Sequence, residues 1–377
     1  MKYIIGIDTG TSNTKAIAFS IQGSIIAEAS FAYQALPATG YGYNEQDPEL
    51  LFNAMIRVLK EVKLSITEHE LLGISFSCAM HSVIAVNDNG IPLTNAITWA
   101  DLRSNEYAKR LKDTTVGIEI YNRTGTPVHP MSPFCKIQWI RDHLPEVFAQ
   151  TSKFISIKEY FFFKLFGRFI IDYSIASATG MFNIQICTWD EQALEVAGIS
   201  TKQLSIPVST THIVRGLIDE YVHITGISKD MPFIIGASDG CLANLGSNAL
   251  NLGDVSLTIG TSGAVRMIGS SPQADERRRL FNYILSEGLY VSGGPINNGG
   301  ILLKWYAENF LNRPFNDATD FEWFVREAST VGAGCDGLIF LPYVQGERAP
   351  VWDASAKGVF FWNSCRSYAN AFYACNR

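Results

Sequence analysis

Several features are scarce in this 377-residue sequence. Charged residues make up only 18%, the net charge is -6, and no basic stripe is present, which argues against a nucleic-acid or anionic-membrane surface. A polyanionic ligand would therefore be held by local amides, a few cations or a metal ion. There are six histidines, with neither an HxxxH pair nor a Cys/His cluster, so a structural zinc site of ordinary spacing is not expected. The seven cysteines are odd in number, scattered and free of any CxxC pair, a usage that suits reduced thiols in a cytoplasmic protein. No apolar run is long enough to span a bilayer. The most apolar segment, "EYFFFKLFGRFII", is broken by Lys164 and Arg168 and reads as a buried helix followed by a strand. The opening "MKYIIGID" turns polar too quickly for a signal peptide. Low-complexity segments and long linkers are also missing.

What remains is an ordinary globular composition, 47% hydrophobic, with length for about two domains. Residues 3–8, 14–20 and 25–33 read as three consecutive strands joined by the turn-like "TGTSN" and "IQGS". "EQDPELLFNAMIRVLKEVK" then opens a helix. Asp47 suits its N-cap and Pro48 its first turn, and Phe52, Met55, Ile56, Leu59 and Val62 recur at helical spacing. "LLGISFSCA" reads as a buried strand, giving the order β-β-β-α-β. "PFCKIQWIRDHLPEVF" and "SIKEYFFFKLFG" carry helix-period apolar faces. "MPFIIGASDG" is a strand ending in a turn, followed by a short helix. "DVSLTIGTSGAVRMIG" is strand, Gly-Thr-Ser turn, strand, echoing "IGIDTGTSNTKAIAF" near the start. The echo reads as a weak internal duplication, two domains each offering one Gly/Thr turn, with a boundary near residues 245–253.

A Gly-rich turn between strands exposes several backbone N–H groups on one side, and such concave nests bind anionic oxygens. Thr11, Ser12 and Thr14 could add hydroxyl donors. Asp8 would repel a bare phosphate but suits one screened by Mg²⁺, and Lys15 is a second source of neutralising charge. The turn is neither a Walker A loop nor a Rossmann turn, since GKS/T is missing and a strand follows. Taken singly, such a turn is equally a hairpin closed by local hydroxyl bonds. Asp239 follows a buried strand at the start of a helix, where the helix dipole favours the ionised form that a general base requires; a plain helix cap is the alternative.

Together, and in order, these segments resemble the FGGY carbohydrate kinases. "GIDTGTSNTKAIAF" resembles the first phosphate loop, "EQDP" the first helix opening and "MHSVIAVNDNGIPLTNAITWADLRS" the substrate-side block. "IGASDGCLANLG" is similar to the segment with the catalytic base and "LTIGTSGAV" to the second phosphate loop. "GGPINNGGILLKW" is similar to the first adenosine-side segment, and "FLPYVQGERAPVWDASAKGVFF" to the second family pattern. The resemblance implies an α/β, actin-like (ribonuclease H-like) ATPase fold in two domains, 1–247 and 248–377. It implies Asp239 as the base that takes the proton of the attacking hydroxyl, and Asp8 as the Mg²⁺ carboxylate. Gly10, Thr11, Ser12 and Lys15 would meet the ATP phosphates from one domain, and Gly260 and Thr261 from the other, with Gly300 on the adenosine side. Met80, His81, Trp99, Asp101, Arg103 and His129 are the implied sugar-side residues, although His81 and Trp99 could equally be core residues and Asp101 and Arg103 could simply pair with each other. "YNRTGTPVHPMSPFCKIQWIRD" and "ISIKEYFFFKLFGRFIIDYSIASATGMFN" are most similar to gluconate kinases, with xylulose and glycerol kinases next. The implied partners are ATP, Mg²⁺ and a small sugar or sugar acid, with a homodimer admitted and no nucleic acid or membrane. A filament or chaperone ATPase of the same fold fits poorly with the large "WADLRS" and "TGTPVHPMS" block.

The end of the chain departs from the family pattern. After "GVFF" it reads "WNSCRSYANAFYACNR", with no helical apolar stripe, where family members continue with helices and a second Gly-rich adenosine loop. The expectation is an incomplete, truncated or frame-shifted second domain, an impaired kinase or a binding remnant, and exposed apolar surface.

Overall fold

The computed structural model describes residues 2–66, 69–273, 275–315 and 318–362. The closing segment 363–377, on which the expectation of an incomplete domain rests, lies outside the described residues. The chain divides into two compact units, Met1–Ser256 with Met267–Ser292, and Leu257–Arg266 with Gly293–Arg377.

The first unit is built on a six-stranded sheet. Strands β1 (Lys2–Thr9), β2 (Asn13–Ser20) and β3 (Ile25–Ala32) form the expected antiparallel meander. In β1, Tyr3, Ile5 and Ile7 are buried while Ile4 and Asp8 are exposed, the period-two signature of a strand with one covered face. Helix α1 (Pro48–Leu64) is capped by the Asp47 carboxylate, which accepts from the Glu49 and Leu50 amides. Its face of Phe52, Met55, Ile56, Leu59 and Val62 is buried against β2 and β3. The helix then crosses over to β4 (Glu70–Cys78), which lies parallel to β1.

Helix α2 (Pro133–His143) stops earlier than its apolar period suggests, and Pro145–Gln150 forms a separate short helix. Pro145 has no N–H to continue the ladder and forces Leu144 out of helical geometry, to φ -130°. The aromatic segment forms helix α3 (Ile157–Phe166), buried almost all round, and then the short strand β5 (Ile170–Asp172). One turn of helix, α4 (Tyr173–Ser177), follows. Strands β6 (Ile213–Val214) and β7 (Phe233–Ser238) complete the sheet, whose order is β6-β7-β4-β1-β2-β3. Strand β7 is parallel to β4 and runs directly into helix α5 (Asp239–Gly246).

The second hairpin also forms, from β8 (Val255–Ile259) and β9 (Gly263–Gly269), in a four-stranded sheet with β10 (Phe281–Ser286) and β11 (Leu289–Ile296), order β8-β9-β11-β10. In the second unit, helices α6 (Ile301–Phe310) and α7 (Ala318–Ala328) precede the antiparallel pair β12 (Leu338–Leu341) and β13 (Val359–Trp362). Partly exposed aromatic rings stack in this unit: Phe340 lies 4.2 Å from Phe360 and 6.2 Å from Trp305 between ring centroids.

Candidate active site

In the first Gly/Thr turn, the carbonyls face the protein. Gly10 O accepts from Tyr33 Oη at 2.7 Å, Thr11 O from Gln46 Nε2 at 2.9 Å, and Ser12 O from the Tyr33 amide at 3.0 Å. In a trans peptide the N–H points opposite to the C=O. Tying these three carbonyls inward therefore aims the amides of Thr11, Ser12 and Asn13 outward, as a phosphate nest requires. Of the two residues that set this geometry, Gln46 lies in the "EQDP" segment, where the sequence points only to a helix start, and Tyr33 carries no motif signal.

Asp8 is exposed on β1, in register with Lys15 on β2 and Ser77 on β4, and its Oδ1 accepts from Ser77 Oγ at 2.6 Å. Ser77 is in turn in register with Ala237 on β7. The row Lys15–Asp8–Ser77–Ala237 thus crosses four strands at one edge of the sheet, where neighbours are about 4.8 Å apart. Two residues beyond Ala237, Asp239 stands exposed at the head of α5. The structure therefore brings Asp8, Gly10, Thr11, Ser12, Lys15 and Asp239 to the same edge of the first unit. The buried Cys78 thiol reports the clustering: burial raises its pKa, Lys158 opposes, and Asp239, Asp8 and Asp172 add to the rise.

Asp239 is aimed from below. The Ser238 hydroxyl caps α5 by accepting from the Cys241 amide, and the Gly240 amide donates to Asp239 Oδ1 at 2.6 Å. Beneath this turn Lys158 Nζ, on α3, donates at 2.8 Å both to Asp172 Oδ2 and to Ala237 O, with the Lys158 and Asp172 side chains no more than 2% exposed. Ser174 Oγ receives the Ser238 amide and lies 2.9 Å from Ser238 Oγ. Gly236 has φ +71°, and a Cβ there would meet Phe76 O at 1.8 Å, so only glycine allows β7 to pass β4 this closely.

The sugar-side residues divide. Met80 and Trp99 are half-buried. His81 is buried in the left-handed region at φ 70°, with Nδ1 2.7 Å from Ala178 O and Nε2 3.3 Å from Tyr283 Oη. His129 is buried, and its Nδ1 accepts from the Met131 amide at 3.2 Å. Asp101 is fully buried and accepts from the Asn44 amide and from the Arg103 amide, Nε and Nη2 at 2.7–3.0 Å. Arg103 also reaches Glu45 at 2.6 Å and lies over the Tyr43 ring at 3.9 Å. Burial opposes the guanidinium charge, but Asp101 and Glu45 together raise its pKa. Asp101 and Arg103 thus make with each other the pairing that the sequence left open, at the loop carrying Trp99.

In the second unit the other turn is built alike. Gly260 O accepts from the Gly300 amide at 2.7 Å, and Thr261 O from the Gly299 and Ile301 amides at 3.2 Å. A Cβ on Gly299 would meet Gly260 O at 2.8 Å and one on Gly300 at 2.9 Å, so the glycines permit α6 to dock on the turn. Gly260, Thr261 and Gly300 therefore come together, with the Thr261 and Ser262 amides directed away from α6 by the same trans-peptide geometry. The buried Glu347 carboxylate holds the approach to α6 through the Asn297 amide at 2.6 Å and Asn298 Nδ2 at 3.0 Å.

Residues 3–246 match the N-terminal domain, and residues 255–375 the C-terminal domain, of the FGGY family of carbohydrate kinases. The chain belongs to that family. It is 45% identical to a gluconokinase of Bacillus subtilis over 364 residues, covering 95% of this chain and 71% of the relative. It is 30% identical to a xylulose kinase of Lactococcus lactis, covering 96% of this chain and 71% of that relative. A crystal structure of gluconate kinase from Lactobacillus acidophilus superposes with a TM-score of 0.89 at 38% identity, covering 97% of this chain and 73% of that one. The protein is thus a phosphotransferase of the actin-like two-domain fold, and sugar kinases of this family use ATP as phosphoryl donor.

Proposed function

We propose that this FGGY kinase phosphorylates gluconate, giving 6-phosphogluconate, with Asp239 as general base. The observation that supports the mechanism is that the exposed Asp239 and Asp8 leave the same end of the sheet, on strands separated by β4, as do the outward amides of the first turn. The margin between 45% identity to a gluconokinase and 30% to a xylulose kinase supports the choice of acceptor. A xylulose- or glycerol-type acceptor is the second reading, favoured by the 29–30% matches to those kinases.

Asp239 would accept the proton of the attacking hydroxyl as the oxygen closes on the γ-phosphorus, a contribution of about 10²–10⁴-fold. The amides of Thr11 and Ser12, with Lys15, would stabilise charge on the phosphoryl oxygens, which is most of what phosphoryl transfer asks of a protein. Gly260, Thr261 and Gly300, in the second unit, are further candidates for nucleotide contact through the amides of their turn. Mg²⁺ fits this donor set. Asp8 offers an exposed carboxylate, and among the described residues no three acidic, His or Cys side chains form a separate cage. A Mg²⁺ held by one carboxylate and the substrate phosphates is the usual arrangement, and it would neutralise phosphate charge. Met80 and Trp99 supply the half-buried surface for the carbon chain. A cytoplasmic setting accords with this metabolism.

A coupled assay with ATP and a panel of gluconate, xylulose and glycerol tests the proposal. Gluconate should give the highest kcat/KM, and Asp239→Asn should lower kcat by at least about 10²-fold while leaving gluconate affinity and the thermal midpoint near wild type. Retained turnover in Asp239→Asn would remove it as base.

A further inference from the structure

Lys136, on α2, has a fully buried side chain, and among the described residues no carboxylate lies within ion-pairing distance of its ammonium. Lysines are rarely buried this way. Its Nζ donates instead to three main-chain carbonyls: Thr98 O at 2.6 Å, His81 O at 2.7 Å and Met131 O at 2.7 Å, with Ile97 O further off at 3.4 Å. An ammonium has three hydrogens, and here each has one short acceptor. The acceptors come from three separate loops. One follows β4 and carries Met80 and His81; the second carries Trp99; the third, between Gly125 and α2, carries His129 and Met131.

We infer that Lys136 is a positioning residue for the acceptor-sugar site, a tripod that fixes the three sugar-side loops relative to one another. The inference rests on the proposed sugar-kinase reading for the identity of those loops. Its geometry does not depend on which polyol is bound. A hydroxyl or an amide at this position could satisfy at most two of the three carbonyls, which explains why a buried charge is kept there. Burial pulls the ammonium down to about 7, and the neighbouring Asp101 opposes this. The three carbonyl dipoles also hold its third proton.

The test uses the full chain. Calorimetric titration of wild type with gluconate, xylulose and glycerol first identifies the acceptor that binds. Lys136→Met, which removes the charge at nearly constant volume, should then weaken that acceptor at least tenfold while the ADP dissociation constant stays within twofold. A lowered melting temperature with acceptor affinity unchanged would overturn the inference and leave Lys136 a purely structural residue. Should Lys136→Met fail to fold, amide hydrogen exchange on wild type decides instead. Acceptor binding should slow exchange in all three loops, near 80–83, 97–100 and 129–132, together; slowing confined to one loop overturns the tripod. Tightest binding of xylulose or glycerol would overturn the gluconate reading and leave the tripod comparison intact, whereas a wild type that binds none of the three overturns both.

Discussion

Glu159 illustrates how far a single side chain departs from its sequence signature. It lies one residue after Lys158 on α3 and completes a capping box with Ser156, accepting from the Ser156 amide at 2.5 Å. Burial raises its pKa to about 7, although Ser205 and Ser156 nearby oppose the rise. A carboxyl that holds its proton more tightly folded than unfolded favours the native state at low pH. That contribution is lost as pH rises from the unfolded value, about 4.5, through about 7, a span worth on the order of 3 kcal/mol. Glu159→Gln should therefore raise the thermal midpoint at pH 8 and leave it nearly unchanged at pH 4.5, as differential scanning calorimetry at the two pH values would show. Asp8 and Asp239 were legible in the sequence because each sits in a short motif with a turn. Lys136, Lys158 and Glu159 were not: a charge inside an apolar helical stretch reads as a break toward solvent, which Lys164 satisfies at 29% side-chain exposure and Lys158 does not at 2%.

Among the elements, the strands and α1 follow from local pattern. The alternation in β1 and the Asp47-Pro48 start of α1 need no distant partner to be interpreted. The carbonyl ties of the first turn do need one, since Tyr33 and Gln46 reach it from 23 and 35 residues away. The overlong reading of α2 has a local cause, because the apolar period continues through Pro145 although the backbone cannot. Strand β7 holds the most exacting requirement. Its pairing with β4 shifts register between Ile234 and Ala237, around Gly236, and this offset sets the direction in which Asp239 leaves the sheet. Gly236→Ala should cost at least about 1–3 kcal/mol from the left-handed backbone alone, with the overlap on Phe76 added. Chemical denaturation would show the lowered midpoint, and kcat should fall more steeply than acceptor affinity.

For the whole chain, the two units differ in how well they are covered. In the second unit α7 turns Phe324 toward Tyr306 but leaves Phe321 and Val325, four apart on one face, each 50% exposed. Ile339 and Phe361 are exposed by 59% and 62%. Exposed large apolar side chains in such number favour association. Light scattering should rise with protein concentration, and Phe321→Glu with Val325→Lys should suppress it without altering acceptor affinity. Family membership was legible at this scale because an ordered set of short segments recurs along the chain, although no one of them is decisive. The proposed sugar-side loops were less so, since Lys136 meets them through peptide oxygens, which leave no trace in the side-chain sequence.

That choice of partner has an evolutionary consequence. A mount that fastens onto the main chain makes no demand of its own on what residues 81, 98 and 131 carry as side chains; those buried groups answer only to their other neighbours, as His81 does to Ala178 and Thr98 to Asn44. Exchange of a side chain at any of them leaves the three acceptors of the lysine in place, so selection at those positions acts through their other contacts.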